Sequence, residues 1–216
     1  MREQIIRRVL DKKIVAIVRG VYGEDCVNLA RALCEGGIEL LEVTFDQSKP
    51  ELLQRTSDTI RQLVDRLGDR MIFGAGTVTS MHMLELAKNA GACFIVSPDT
   101  NEEVIKATVA AGMVSMPGAL TPTEIVTAYR YGADFVKLFP AGTQGTAYFK
   151  AVTAPLNHIR LLAVGGVNEK NIADFMAAGA VGAGVGGNLV NKNWIKNGEF
   201  HKITALAKEF VKNAGV

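Results

Sequence analysis

Apolar and polar positions along the chain follow two periods that alternate from one end to the other. Short runs rich in Val, Ile, Leu and Phe, typical of buried strands, are separated by longer segments whose apolar residues recur about every 3.6 positions, as in amphipathic helices. Residues 51–67 show the helical period clearly. Strands that alternate with helices predict a parallel sheet with right-handed crossovers. The eight predicted strands are Ile14–Arg19, Glu39–Phe45, Met71–Ala75, Phe94–Ser97, Met113–Met116, Phe135–Phe139, Arg160–Val164 and Gly182–Val185.

Turn-forming residues indicate where the helices begin and end. Thr100–Glu103 and Thr121–Glu124 each have the pattern of a capping box, and the second carries proline at the first helical position. No linker, composition shift or low-complexity stretch divides the chain, so residues 1–216 are predicted to form one domain. A glycine follows several helical segments, as a left-handed C-terminal cap requires, at Gly37, Gly91, Gly112 and Gly179.

Eight strand–helix units in 216 residues predict an α/β protein with a compact (β/α)8 TIM barrel, preceded by an N-terminal helix. An open doubly wound sheet is the alternative, but that fold usually carries a glycine fingerprint in its first turn. Here the paired glycines follow the last two strands instead. Because barrel active sites lie at the C-terminal ends of the strands, chemically capable residues at those ends are the candidates for function.

Composition narrows the class of protein. A hydrophobic content of 48% predicts a folded globule, and no apolar run approaches the roughly 18 residues that cross a bilayer. The net charge of +2, with acids and bases interspersed, gives no nucleic-acid footprint. The charged N-terminal residues do not resemble a signal peptide, and the three cysteines lack disulfide or ligand spacing, so we expect reduced thiols and a cytoplasmic protein. The three histidines are scattered, and no metal site is predicted.

Two charged residues lie within apolar strand patterns. Lys137, in Asp134–Pro140, has Phe135 and Phe139 two positions away on either side, so its ammonium group would be buried, which disfavours the charge. A neutral lysine is a nucleophile that can form a Schiff base with a ketone. Glu42 lies in a second apolar strand and could carry protons. The alternatives are an ion pair between the two or a lysine that reaches solvent. Because a buried ion pair is weak evidence for stability, amine catalysis is favoured.

Paired glycines follow the last two predicted strands, at Gly165–Gly166 and Gly186–Gly187. Backbone N–H groups in such turns can approach an anion, and barrels hold phosphate after strands seven and eight; tight turns alone are the simpler explanation. Thr77 follows the third strand and Arg19 ends the first. Arg19 is either a clamp for carboxylate or phosphate or an ordinary surface residue. Residues 140–146 are predicted to form a loop that either orders over substrate or is simply exposed.

The order of these motifs resembles a known family almost from end to end. The chain is similar to the 2-keto-3-deoxy-6-phosphogluconate / 4-hydroxy-2-oxoglutarate aldolases, class I aldolases on a (β/α)8 barrel. No single motif is decisive, but seven in the same order are specific. They are Ile14–Arg19, Leu41–Thr44, Gly74–Val78, Ile95–Pro98, Met116–Gly118, Phe135–Pro140 and Gly165–Gly166.

The resemblance implies a role for each matching residue. Lys137 would be the Schiff-base nucleophile and Glu42 the general acid/base. No cofactor is implied, because the iminium itself withdraws electrons, and the family suggests a homotrimer that releases pyruvate and glyceraldehyde 3-phosphate. The implied substrate contacts are Arg19, Thr44, Thr77, Pro98, Phe139 and Val164, and the implied phosphate contacts are Gly165, Gly166, Gly186, Gly187 and Asn188.

Three positions depart from the family pattern. Asp46 stands where many members carry the arginine that holds the pyruvate carboxylate, and Asn188 stands where serine is common. Val164 replaces a threonine of gluconate-type members, as in the 6-phosphogalactonate branch. The predicted function is cleavage of 2-keto-3-deoxy-6-phosphogluconate, with 4-hydroxy-2-oxoglutarate as a further candidate substrate. The alternatives are cleavage of the galactonate epimer, a non-catalytic phosphosugar-binding barrel, and a phosphate-binding isomerase or synthase barrel.

Overall fold

The computed structural model describes every residue from Met1 to Val216 and contains one parallel sheet wrapped by helices. The strands are β1 Ile14–Val18, β2 Leu40–Thr44, β3 Ile72–Gly76, β4 Phe94–Val96, β5 Val114–Met116, β6 Gly118–Ala119, β7 Val136–Leu138, β8 Leu161–Val164 and β9 Gly182–Val185. The helices are α1 Arg2–Lys12, α2 Gly23–Glu35, α3 Pro50–Leu67, α4 Met81–Asn89, α5 Glu102–Ala110, α6 Pro122–Arg130, α7 Ala141–Thr153, α8 Ile172–Ala177, α9 Lys192–Lys196 and α10 Phe200–Asn213. None of these helices is both long enough and apolar enough to span a membrane.

The sheet closes into a barrel through a strand that is interrupted at Pro117. β5 pairs with β4 and β6 pairs with β7, on either side of this residue, which has no N–H to donate. The ladder to the neighbouring strand nevertheless continues, because Ser115 O accepts from Phe135 N at 3.2 Å and Pro117 O accepts from Lys137 N at 2.8 Å. The predicted (β/α)8 barrel is therefore confirmed, and β5 and β6 are two parts of its fifth strand. The sequence prediction had missed β6.

Two layers of apolar side chains hold the barrel together. The outer layer lies between the strands and the surrounding helices and forms the larger cluster of 56 buried residues. The inner layer fills the barrel with side chains such as Leu40, Phe94 and Leu162. The predicted N-terminal helix, α1, belongs to this inner layer through its buried face of Ile5, Ile6 and Val9. It closes the barrel at the N-terminal ends of the strands.

The predicted helix boundaries were right at one capping box and wrong at the other. At α6 the hydroxyl of Thr121 accepts from Glu124 N and the Glu124 carboxylate accepts from Thr121 N, which confirms that box. At α5 the N-cap is Asn101, whose side chain accepts from Val104 N, and not Thr100. Thr100 Oγ1 instead donates to Gly118 O, in β6, at 2.8 Å. Its hydroxyl group is therefore bonded to the sheet, and Asn101, which is the stronger N-cap residue type, caps the helix.

Two further expectations concern turns. The glycines predicted to follow helices do adopt left-handed backbone, with φ of 92° at Gly37 and 103° at Gly179. The predicted loop at residues 140–146 is wrong, because α7 begins at Ala141. Gly145, with φ 79° and ψ 168°, interrupts that helix at a kink. The segment after the lysine strand is therefore helical backbone that starts at the barrel mouth.

Candidate active site

A cavity of about 350 Å³ opens at the C-terminal ends of the strands. Its volume is within the range typical of small-molecule sites. Twelve of the thirteen residues proposed from sequence line it, and Thr44 does not. The lining consists of Ile17, Arg19, Glu42, Thr77, Pro98, Lys137, Phe139, Val164, Gly165, Gly166, Val167, Gly184, Gly186, Gly187 and Asn188.

Lys137 lies in the middle of β7 with its side chain directed into this cavity. Only 8% of the residue is exposed, and its Nζ lies 5.0 Å from the centroid of the Phe139 ring. Burial lowers the pKa of Lys137, the charge of Glu42 opposes that effect, and the charge of Arg19 adds to it. The net direction is downward, so the neutral, nucleophilic form of the amine is favoured relative to an exposed lysine.

Glu42 approaches the same cavity from β2. It is 3% exposed, and burial raises the pKa of its carboxyl group although the charges of Lys137 and Arg19 act in the opposite direction. Lys137 and Glu42 influence each other through space without a hydrogen bond between them. The simple ion-pair explanation of this pair is therefore not supported. A buried amine and a buried carboxyl group, each shifted toward its neutral form, instead face one cavity.

Arg19 and Thr77 lie together on the rim of the cavity. Arg19 follows β1, is exposed, and donates from Nη2 to Thr77 Oγ1 at 3.3 Å. Thr77 follows β3 with φ 59°, a left-handed conformation that is a genuine outlier for a β-branched residue. Such strain persists where the surrounding structure demands it, and it clusters at functional sites. The backbone turn thus presents a hydroxyl and a guanidinium group at one position beside the cavity.

The glycine pairs form the opposite side of the cavity. Gly165 and Gly166 have φ of 86° and 77°, conformations that other residues rarely adopt. Gly165 O accepts from Gly142 N at 2.7 Å, and the N–H groups of Gly166 and Gly187 are used by no hydrogen bond within the chain. The side-chain amide of Asn188 donates to Val167 O at 2.8 Å and so connects the two glycine turns. Two turns with free N–H groups converge on one region, as an anion site requires.

Some residues fall outside these expectations. Thr44 is on the same face of β2 as Glu42 but is 1% exposed, and its buried Oγ1 has no hydrogen-bond partner. Asp46 lies outside the lining, where it accepts from Ser48 N at 2.9 Å, and this bond lowers the pKa of its carboxyl group most. The sequence reasoning missed Ile17, Val167 and Gly184. Ile17 could have been expected because it lies two positions before Arg19 on the same predicted strand. Val167 and Gly184 could have been expected because they lie close to the two glycine pairs.

Comparison with known proteins gives a consistent result. A family model described as KDPG and KHG aldolase matches residues 5–206. The chain is 34% identical over 177 residues to the 2-dehydro-3-deoxy-6-phosphogalactonate aldolase of Escherichia coli (strain K12), covering 82% of this chain and 83% of that protein. It is 34% identical over 208 residues to the 2-dehydro-3-deoxy-phosphogluconate aldolase of Treponema pallidum (strain Nichols), covering 94% of each.

A solved structure extends the likeness to three dimensions. The KDPG aldolase of Legionella pneumophila, with pyruvate captured as a covalent carbinolamine, is similar with a TM-score of 0.82 and 26% sequence identity, covering 94% of this chain and 96% of that one. Fold and cavity together define a barrel enzyme whose mouth offers a buried amine and a buried carboxyl group. With the family match, the chain belongs to the KDPG and KHG aldolases and is a lyase.

Proposed function

We propose that the protein is a class I, Schiff-base aldolase that cleaves 2-keto-3-deoxy-6-phosphogluconate to pyruvate and glyceraldehyde 3-phosphate. The observation that carries the proposal is the pair of Lys137 and Glu42. Both are buried, both have pKa values shifted toward the neutral form, and both line one cavity without a hydrogen bond to each other. Groups whose pKa values are tuned by burial are characteristic of amine nucleophiles and proton carriers.

In the proposed reaction the neutral amine of Lys137 attacks the C2 ketone to form a carbinolamine, which loses water to give an iminium. The C3–C4 bond then breaks, with its electron pair moving toward the iminium nitrogen to form an enamine. Glu42, directly or through a water, accepts the proton of the C4 hydroxyl as the aldehyde forms. The enamine is protonated at C3 and hydrolysed, which releases pyruvate and restores the lysine.

The rest of the cavity supports the two ends of such a substrate. Free N–H groups at Gly166 and Gly187 suit a terminal phosphate. Arg19 and Thr77 supply a cation and a hydroxyl group at the rim of the cavity. They suit the substrate carboxylate, which many family members hold with an arginine at the position that Asp46 occupies here. Pro98 and Phe139 complete the lining. The family resemblance supports these roles, including that of Asn188 beside the phosphate.

A second candidate substrate is the C4 epimer, 2-keto-3-deoxy-6-phosphogalactonate. Val164 lines the cavity with an apolar side chain, so it offers no hydrogen bond to a substrate hydroxyl. That is the observation that favours the galactonate epimer. Steady-state kinetics with both epimers and with 4-hydroxy-2-oxoglutarate will decide, and the ratio of their kcat/KM values is the measure of preference.

Trapping of the intermediate tests the mechanism directly. We expect borohydride in the presence of pyruvate to attach a reduced pyruvate adduct to Lys137 and to no other lysine, as read by peptide mass mapping. Lys13, which donates to backbone carbonyls near the C-terminus, is the matched lysine that should remain unlabelled. A protein that is inactivated without an adduct on Lys137 would contradict the mechanism. So would a Lys137→Ala variant that keeps most of the activity. A non-catalytic sugar-binding barrel would show neither the adduct nor aldolase activity.

Two expectations stay predictions. One is the homotrimer, which the family resemblance suggests and sedimentation analysis tests. The other is the cytoplasmic location, which the cysteines and the N-terminal residues suggest.

A further inference from the structure

Gly76, at the end of β3, lies beneath the carboxyl group of Glu42. β2 and β3 pair in parallel with Glu42 opposite Gly74, so Gly76 is two residues nearer the mouth on the same face of the sheet. A methyl group at position 76 would lie 2.7 Å from Glu42 Cγ and closer still to the carboxyl oxygen. Carbon atoms do not approach to this distance, so the present side-chain position of Glu42 requires a residue without Cβ at position 76.

The backbone of Gly76 gives no other reason for glycine. Its φ is not in the left-handed region that the turn glycines adopt, so alanine could take the same conformation. Glycine within a strand loses conformational freedom on folding and contributes no packing. A glycine in an ordinary strand conformation therefore indicates a close approach by a neighbour, and the neighbour here is the carboxyl group of Glu42.

No hydrogen bond within the chain fixes that carboxyl group. The influences on the pKa of Glu42 are burial and the charges of Lys137 and Arg19, with no hydrogen bond among them. A carboxyl group held by packing alone keeps its oxygens free to accept and donate protons. Since the side chain is buried and borders the cavity, the bare backbone at Gly76 sets how far it leans toward the mouth.

We propose that Gly76 is a positioning residue, whose missing side chain makes the space in which Glu42 reaches the Schiff base on Lys137. The inference rests on the proposed function, because it takes Glu42 as the proton carrier. A displacement of about 1 Å in a reacting group can reduce rates about 100-fold. An added methyl group at position 76 should therefore act on proton transfer and leave the amine intact.

The experiment measures the exchange of the pyruvate methyl protons with deuterium, by NMR, together with borohydride trapping of pyruvate. Exchange needs both the Schiff base and a proton carrier, but no sugar. For Gly76→Ala we expect the exchange rate to fall about 100-fold. Trapping on Lys137 should still go to completion, and the apparent KM for pyruvate should stay within about threefold of the unmodified protein, because the amine is unchanged.

Glu42→Ala provides the decisive background. Alanine lacks the Cγ atom and the carboxyl group, which are the atoms nearest to a methyl group at position 76. We expect Glu42→Ala to slow exchange by itself, and Gly76→Ala to change the residual rate in that background by no more than about threefold. Equal losses in both backgrounds would show that the effect does not pass through Glu42 and would overturn the inference. Exchange in Gly76→Ala at more than about a third of the unmodified rate would also overturn it.

Gly74→Ala is the matched structural control. Its methyl group would meet the ring of Phe94 and not a carboxyl group, on the same face of the same strand. We expect it to lower the thermal midpoint while leaving the pH dependence of exchange unchanged. In Gly76→Ala the acidic limb of the pH dependence should shift, because the carboxyl group of Glu42 is displaced from its present position. An equal shift of that limb in both variants would count against the inference.

Further variants distinguish a failure of the inference about Gly76 from misfolding of Gly76→Ala and from failure of the proposed role of Glu42. If Gly76→Ala lowers the thermal midpoint too far for assay, the double variant with Glu42→Ala should restore the midpoint, because the clashing atoms are then absent. No recovery would overturn the inference. A fully active Glu42→Gln variant would remove the proposed role of Glu42, and this inference with it. An inactive Glu42→Gln beside an active Gly76→Ala would remove the inference alone.

Discussion

The two ends of the barrel contain buried charged groups in opposite arrangements. At the N-terminal end, Asp134 accepts two hydrogen bonds from the guanidinium group of Arg2, at 2.8 and 3.1 Å, and a third from Ser115 N at 2.9 Å. At the C-terminal end, Lys137 and Glu42 are just as buried but accept or donate no hydrogen bond to each other. The same sheet thus pairs its charges at one end and leaves them unpaired at the other.

This difference separates stability from function within one fold. A buried charge without a partner is destabilising, and removing the partner of a paired one is destabilising as well. An unpaired buried charge persists where the reaction uses it, whereas a fully bonded one has no capacity left for a substrate. In barrels the C-terminal face carries catalysis and the N-terminal face carries stability, and here the distinction can be read in individual hydrogen bonds.

The largest expected effect comes from Lys137→Met, which replaces the buried amine by an apolar side chain of similar length. We expect kcat to fall by at least ~10⁴-fold, since the nucleophile is lost. The free energy of unfolding should rise by about 1 kcal/mol, because a buried ionisable group is replaced by one that packs without desolvation. Aldolase kinetics and urea unfolding measure the two effects on one preparation.

The stability gain should also depend on pH. The pKa of Lys137 in the folded chain lies below its ordinary value of 10.5, so between the two values the unfolded chain binds the additional proton. The free energy of unfolding of the unmodified protein therefore rises with pH across that window. The advantage of the methionine variant should be largest below the lowered pKa and should shrink as the pH approaches 10.5. An advantage that grows with pH would contradict this account.

The second largest effect is a loss of stability in Asp134→Ala, at the N-terminal end of the barrel. The substitution leaves the guanidinium group of Arg2 and the buried N–H of Ser115 without their acceptor, and the lost side chain is only 6% exposed. We expect the free energy of unfolding to fall by about 3 kcal/mol while kcat/KM of the folded fraction stays within about twofold. Arg2→Gln, which keeps the bond from Ser115, should cost less. A large loss of kcat without a loss of stability would erase the contrast between the ends.

Much of the fold could be predicted because strand and helix periods are local properties of the sequence. All eight predicted strands are present. The break at Pro117 was missed because the ladder continues through carbonyl oxygens, which no side-chain pattern reveals. The cap at Thr100 was wrong for a similar reason, because its hydroxyl bonds to Gly118 across the chain. In both cases a long-range backbone contact outweighed a local signal.

Most of the candidate site could also be predicted, and the residues that were missed again depend on long-range contacts. Strand ends in a parallel barrel converge on one mouth, so Lys137 and Glu42 could be brought together from topology alone. Thr44 is on the same face of β2 as Glu42, but strand alternation predicts only the face on which a side chain lies. It does not predict whether that side chain reaches the cavity, and the hydroxyl group of Thr44 is buried away from it. Gly76 could not be recognised, because its importance depends on the side chain of a neighbouring strand.

The smallest effect concerns Glu39, a second acid at the N-terminal end. Its carboxylate forms ion pairs with Lys12, at 2.7 Å, and through its other oxygen with Arg8, whose side chain is 45% exposed. For Glu39→Gln we expect a loss of about 1 kcal/mol or less, because solvent screens such pairs, and the loss should shrink in high salt. Glu102→Gln, which breaks the exposed pair with Lys106 on α5, should change the unfolding midpoint by nothing measurable. If Glu39→Gln instead matched Asp134→Ala in magnitude at every salt concentration, partial exposure would not be what separates weak from strong charge pairs at this end of the barrel. The contrast with the mouth would then rest on hydrogen-bond count alone.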